Sequence, residues 1–145
     1  MTKINKQAQV AYSAHQMFSL VSDIESYPDF LPWCTGTNIV ESQDNASIAS
    51  VSVALGKIKQ TFTTANTIEP DTSIIMRLVK GPFKELYGSW QFQDHENGGS
   101  QVLFEMQFEF KNKLLKHALG AAFKKITDSL VDAFIKRARE VYGQA

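Results

Sequence analysis

Cysteine is nearly missing from this chain. Cys34 is the single one among 145 residues, which excludes a disulfide framework and a thiolate metal cluster. Net charge is missing too: 15 Lys/Arg stand against 15 Asp/Glu, so the basic excess carried by most nucleic-acid binders is not there, and no DNA partner is expected. No stretch approaches the ~20 consecutive apolar residues of a membrane span. The opening Met1-Thr2-Lys3-Ile4-Asn5-Lys6 has no apolar run behind it, so no signal peptide is expected. The expected compartment is the cytoplasm, with peripheral contact at the inner face of the membrane left open. Catalytic motifs are also lacking. There is no Gly-x-Ser-x-Gly and no phosphate-cradling glycine loop. His15, His95 and His117 stand apart from any second ligand at metal spacing. No catalytic residue, no metal and no catalytic cofactor are expected.

What is abundant is phenylalanine, ten residues in all, and a 43% apolar fraction that allows a full core in one domain spanning 1–145. The charge that cancels overall is unevenly spread. Residues 1–110 hold 7 Lys/Arg and 12 Asp/Glu, and residues 111–145 hold 8 and 3. The C-terminal end is therefore a basic element on an acidic body. It suits either an anionic surface or docking against an acidic sheet.

That basic end reads as one long helix, Lys113 to Tyr142. Leu115, Leu119, Ala122, Phe123, Ile126, Leu130, Ala133 and Phe134 recur at three- and four-residue spacings and share a face. His117, Lys124, Asp128, Asp132, Lys136 and Arg139 take the other. At 1.5 Å per residue the helix is roughly 45 Å long. So wide an apolar stripe needs a concave partner.

The rest of the chain supplies one. Ile4 to Tyr12 reads as a weakly apolar strand suited to an edge. Ser13-Ala-His-Gln16 matches a capping box, and Met17, Leu20, Val21 and Ile24 continue it as a one-faced helix. Pro28 and Pro32 permit only a short turn between them. From Thr37 to Phe110 strands and turns alternate. Asp44-Asn45, Gly56-Lys57, Pro70-Asp71-Thr72, Gly81-Pro82 and Asn97-Gly98-Gly99 break the runs. Val102, Phe104, Met106, Phe108 and Phe110 place one clear apolar face on the last strand. The fold class is α+β: seven antiparallel strands, curved around a long C-terminal helix, with two short helices after the first strand.

Between a curved sheet and a helix the gap widens toward one end. It can be filled by side chains or stay hollow. The candidate lining residues are Phe62, Met76, Trp90, Phe92, Phe104, Met106 and Phe108 on strands, with Leu119, Phe123, Ile126, Leu130 and Phe134 on the helix. Each suits a solid core equally well. Small or polar residues at inward positions (Ser50, Ser52, Gln60, Thr64, Gly88) favour a hollow, although Val51 and Val53 compete with the two serines for the inside. Gly120 falls within the helix at a cost of about 1 kcal/mol against Ala. Arg137 falls on the apolar side and is expected to snorkel at the rim. Cys34 reads as a small buried hydrophobe.

Tyr27-Pro-x-Phe30-Leu31-Pro32-Trp33-Cys34, then Gly81-Pro82-Phe83, Gly88-x-Trp90-x-Phe92 and Phe108-Glu109-Phe110 before a long helix resemble the ubiquinone-binding, START-like family. The likeness covers essentially the whole chain. It implies the helix-grip fold of the birch-pollen-allergen and START superfamily, with a hydrophobic tunnel between sheet and helix. Its members are linked to coenzyme Q function in respiration as lipid chaperones, and the family also includes bacterial ribosome-association toxins that bind the large ribosomal subunit and block subunit joining.

Three functions follow as expectations. The first is a carrier for ubiquinone or a related lipid, held as a ligand rather than a catalytic cofactor. Tyr27, Phe30, Trp33 and Phe83 would then gate the cavity on two loops. The second is a regulator that binds the large ribosomal subunit. Lys113, Lys116, Lys124 and Lys125 are its candidate contacts with an anionic surface, flanked by Lys111, Lys136 and Arg139. The third, an enzyme of the cyclase kind that the superfamily also hosts, ranks last because few ionisable residues point inward.

Overall fold

The computed structural model describes residues 1–143. The elements run β1 (Thr2–Val10), α1 (Ala14–Ser22), a 3-10 turn (Ile24–Ser26), α2 (Tyr27–Phe30), β2 (Cys34–Gln43), β3 (Ala46–Leu55), β4 (Ile58–Glu69), β5 (Ser73–Lys80), β6 (Phe83–Asp94), β7 (Ser100–Phe110) and α3 (Lys113–Tyr142). The seven strands form one antiparallel sheet in the order β1-β7-β6-β5-β4-β3-β2. Five hairpins run from β2 to β7, and β1 returns to close the far edge beside β7. The two edges are therefore β1 and β2. Both edges are blunted: β1 carries Lys3 and Lys6 on its exposed positions, and β2 carries irregularities at Cys34/Gly36 and Ile39/Glu41.

Local chemistry sets the element ends. The Ser13 hydroxyl accepts from the Gln16 amide at 3.1 Å, and the Gln16 side chain accepts from the Ser13 amide at 2.9 Å. The expected capping box is formed in both directions. Pro28 lies in the first turn of α2, where its missing N–H costs nothing. Asn45 adopts φ 62° at the β2–β3 turn, a conformation that asparagine tolerates better than most residues. Asn112 caps α3 by accepting from the Leu115 amide at 2.9 Å.

Helix α3 lies on the concave face of the sheet against β1, β7 and part of β3. Its fully buried row is Leu119, Phe123, Thr127, Val131, Phe134 and Ala138. The sequence stripe included Ile126 and Leu130, and both are half-buried on the shoulder of that row. The buried positions follow four-residue steps for most of the helix, and that row is inclined to the helix axis. Thr127 joins it because its hydroxyl bonds the carbonyls of Phe123 (3.1 Å) and Lys124 (3.0 Å), leaving no polar atom unsatisfied.

A correction concerns β3. Ser50 and Ser52 face outward, where their hydroxyls bond Thr63 (2.6 Å) and Thr61 (2.8 Å) across the strand pair. Ala49 and Val53 are buried on the inner face instead. Apolar residues won the inside, and the polar ones found partners on the wet face.

Candidate functional site

Helix α3 covers one half of the concave face, while α1, the 3-10 turn and α2 fold over the other. Between them remains a cavity of about 390 Å³, within the usual range for small-molecule sites. Its floor is the inner face of β3, β4 and β5: Ala49, Val51, Phe62, Thr64, Asn66, Ile68, Ile74 and Met76. Trp90 and Met106 close one side, Leu130 projects from α3, and Val21, Tyr27 and Trp33 form the roof. Glu25 and Ser42 are the exposed members of the lining, with Ile39 half-buried beside them. The opening therefore lies between the 3-10 turn and edge strand β2.

The walls are mainly apolar but carry one polar row. Ser42, Ser47 and Asn66 are cross-strand register partners, so the row runs from the rim into the cavity. Thr64 is one step deeper. Its hydroxyl donates to Asn66 Oδ1 at 2.8 Å, and Asn66 Nδ2 donates to Ser47 Oγ at 3.3 Å. Asn66 is 4% exposed and Thr64 8%.

The aromatic residues fill more space than they line. Phe62, Phe83, Phe108, Phe110 and Phe123 form a cluster with ring centroids 4.8–6.1 Å apart, mostly edge to face. It closes the deep end, and only Phe62 shows a face to the cavity. Trp90 packs on Phe104 at 4.5 Å and on Phe134 at 5.4 Å, forming a second cluster behind the wall. Of the strand residues named from sequence, Phe62, Met76, Trp90 and Met106 reach the cavity, whereas Phe92, Phe104 and Phe108 are packed behind it. Of the helix residues, Leu130 reaches it, while Leu119, Phe123, Ile126 and Phe134 do not border it.

The expected gates separate as well. Tyr27 and Trp33 border the cavity. Phe30 sits outside it, on Tyr27 and Phe134, with the Arg137 guanidinium 5.0 Å above its ring. Phe83 is not a gate. It is 2% exposed and lies at the centre of the closed end. Gly81 turns the chain so tightly that a Cβ there would lie 2.8 Å from Phe62 Cβ, and this approach drives Phe83 inward.

Among the lining residues that sequence reasoning did not name, three on β3 and β4 carried a signal in their strand parity. Asn66 has the same strand parity as Phe62 and Thr64, which places it inside. Ser47 and Ala49 have the parity of Val51. Polar and small residues add nothing to hydrophobic periodicity, so strand parity is the signal that places these three inside.

Electrostatically the cavity holds no cation among its described lining residues, and Glu25 is the carboxylate at its rim. Burial pushes the Tyr27 phenol well above its ordinary value, with Cys34 and Asp23 adding to the effect. Its hydroxyl donates to the Val21 carbonyl. Burial likewise raises the Cys34 thiol, an effect partly offset by a backbone hydrogen bond with Gly36. Cys34 is thus a buried, poorly nucleophilic thiol. Among the described residues no three His, Cys, Asp or Glu side chains converge on a metal-sized site. No helix among them is long and apolar enough to cross a membrane.

The lysines occupy a different place. Lys84, Lys111, Lys113 and Lys116, with one carboxylate, Glu109, among them, surround a groove of about 330 Å³ at the start of α3, beside the closed end of the sheet. Lys124 differs from them, since it is paired with Asp128 at 2.8 Å and holds that carboxyl below its usual range. Lys125 stands beside it on an exposed surface shared with Asp128 and Asp132.

Comparison with known proteins agrees with this architecture. A family described as polyketide cyclase/dehydrase and lipid transport matches residues 10–135. The ribosome association toxin RatA of Escherichia coli is 46% identical over 143 residues, covering 99% of this chain and 90% of the relative. A mitochondrial coenzyme Q-binding protein, COQ10 homolog B of Xenopus laevis, is 24% identical over 93% of this chain and 57% of its own length. The solved aromatase/cyclase ZhuI of a Streptomyces species superposes with a TM-score of 0.85 at 16% identity, covering 97% of this chain and 95% of that one, and shows the shared fold. The two sequence relatives are named for association and binding rather than for a reaction.

Proposed function

The chain belongs to the polyketide cyclase/dehydrase and lipid transport family, and we propose that it is a non-catalytic binding protein for a hydrophobic ligand of the ubiquinone or lipid class, acting in support of respiration. The observation that carries this reading is the cavity of about 390 Å³ between sheet and helices, walled by aliphatic and aromatic side chains and open at one edge. A domain whose purpose was only to be stable would fill such a space, because empty apolar volume destabilises by tens of cal/mol per Å³. The name of the coenzyme Q-binding relative points to the same ligand class. The lining holds no converging acid–base pair, which argues against a cyclase-type reaction.

Organic extraction of the purified protein followed by mass spectrometry is the primary test. A stoichiometric quinone or lipid is expected. An empty protein that also fails to take up a quinone when offered one would overturn the reading.

A second reading is favoured by a separate observation. Relatives named for ribosome association reach 46% identity, and Lys84, Lys111, Lys113 and Lys116 are gathered around one groove. None of these four enters an ion pair among the described residues. In this reading the groove contacts the phosphate backbone of the large ribosomal subunit. Cosedimentation that weakens steeply with salt is expected, and its absence at low salt would overturn the reading.

A further inference from the structure

We infer that the polar row on β3 and β4 selects the head group of the ligand: the cavity takes an amphiphile with an uncharged, oxygen-accepting head and turns away one with an anionic head. The inference rests on the cavity being a ligand site and adds to it an orientation and a chemical class.

The hydrogen-bond inventory is the first argument. Thr64 and Ser47 each bring one hydroxyl hydrogen and Asn66 brings two amide hydrogens. These serve the two bonds of the row, Thr64 to Asn66 and Asn66 to Ser47. Two donors are left over. If the Asn66 amide is turned end for end, both bonds reverse direction and two donors still remain. The result is therefore independent of how the amide is assigned. Unspent donors in an apolar cavity are costly unless they meet an acceptor. A quinone carbonyl, an ester or an ether oxygen supplies one.

Charge is the second argument. No lysine, arginine or histidine is among the described lining residues, and Glu25 stands at the rim. Arg137, on the apolar side of α3, is held over Phe30 and lies 3.8 Å from Glu140. A carboxylate or phosphate entering here would lose hydration, gain no counter-ion and meet Glu25.

Position is the third. Ser42, Ser47 and Asn66 lie in line from the opening inward, whereas Phe62, Met106 and Leu130 surround the deeper part. The head is thus held near the opening between the 3-10 turn and β2, with the apolar portion reaching toward the aromatic cluster.

The test uses matched probes: a decyl-substituted benzoquinone, methyl decanoate and decanoate. Binding is read by tryptophan fluorescence, since Trp33 and Trp90 both border the cavity, and by calorimetry. Wild type is expected to bind the quinone and the ester at least tenfold more tightly than the carboxylate. Asn66→Leu is expected to erase that preference by weakening the two neutral probes about tenfold, the scale of one buried hydrogen bond. Ser47→Ala, at a half-buried position that folds whatever happens to Asn66→Leu, is expected to weaken them in the same direction. Glu25→Lys, at an exposed site, is expected to tighten decanoate alone. Equal binding of ester and carboxylate by wild type, or neutral-probe affinities unchanged in both Asn66→Leu and Ser47→Ala, would overturn the inference while leaving the cavity a ligand site. Failure of wild type to bind any probe would overturn both.

Discussion

At the scale of single residues, polar and small side chains decide more here than the aromatic ones that dominate the sequence. Gly120 illustrates the point. A Cβ built there would meet Lys116 Cγ and Phe110 Cε2 at 3.9 Å, ordinary contact distances, and no positive φ protects the glycine. Gly120→Ala should therefore stabilise the protein by about 0.5–1 kcal/mol through helix propensity and a less flexible unfolded chain, measured as a rise in the urea midpoint. A fall would show that α3 needs freedom at that turn. Tyr27 supplies a second prediction. Its phenol has a raised pKa because it is buried, so its stabilising contribution is intact below the ordinary tyrosine value of about 10 and is lost as pH rises beyond it. Tyr27→Phe should flatten the loss of stability above that pH relative to wild type, and identical alkaline melting profiles would refute the assignment. These residues also mark where reading from sequence failed. Thr127 is buried and Ser50 is not, because each hydroxyl finds a partner that hydrophobic periodicity does not register.

At the scale of elements the sequence was far more legible. The long helix, the capping box at Ser13, the strand alternation and the turns all emerge from local chemistry, and the structure realises them within a few residues. What periodicity could not supply was the side of each element that meets the cavity. Phe83 follows a Gly-Pro break and reads as a loop tip, yet the Gly81 turn drives its ring into the cluster with Phe62, Phe108, Phe110 and Phe123. A gate and a core residue respond differently to truncation. Phe83→Ala should cost about 3–5 kcal/mol of stability, the usual range for a buried Phe, while leaving ligand affinity of the folded fraction within a few-fold. Chemical denaturation combined with probe binding separates the cases. Unchanged stability with faster ligand exchange would restore the gate. Leu130 is the converse case: from the shoulder of α3 it borders the cavity. Leu130→Trp should fill the hollow, reduce uptake by tenfold or more and leave stability nearly unchanged. Unaltered uptake would mean that the ligand lies elsewhere.

At the scale of the whole molecule, the two candidate surfaces lie toward opposite ends of the sheet. Register places Phe83 opposite Phe110 at the end where α3 begins, with Lys84, Lys111, Lys113 and Lys116 gathered nearby. The polar row lies toward the other end, beside the Asp44-Asn45 turn. The net charge of zero conceals this division, since it sums 15 basic and 15 acidic residues over the whole chain without regard to where they stand. Two lysines also stand at the start of α3 without an acidic residue in its first turn. This is the unfavourable sign for the positive end of a helix dipole, and an external anion would relieve it. The arrangement makes the two readings of function separable in one experiment. Replacing Lys84, Lys111, Lys113 and Lys116 by Gln should abolish cosedimentation with large ribosomal subunits, or reduce its logarithmic salt slope by roughly 3–4, and leave quinone binding unchanged. Leu130→Trp should do the reverse. If the lysine variant loses neither property, the groove is only a solvated face. If each variant loses both, the ligand in the cavity and the charged end are coupled through the elements they share: α3, which carries Lys113, Lys116 and Leu130, and β6, which carries Lys84 and Trp90.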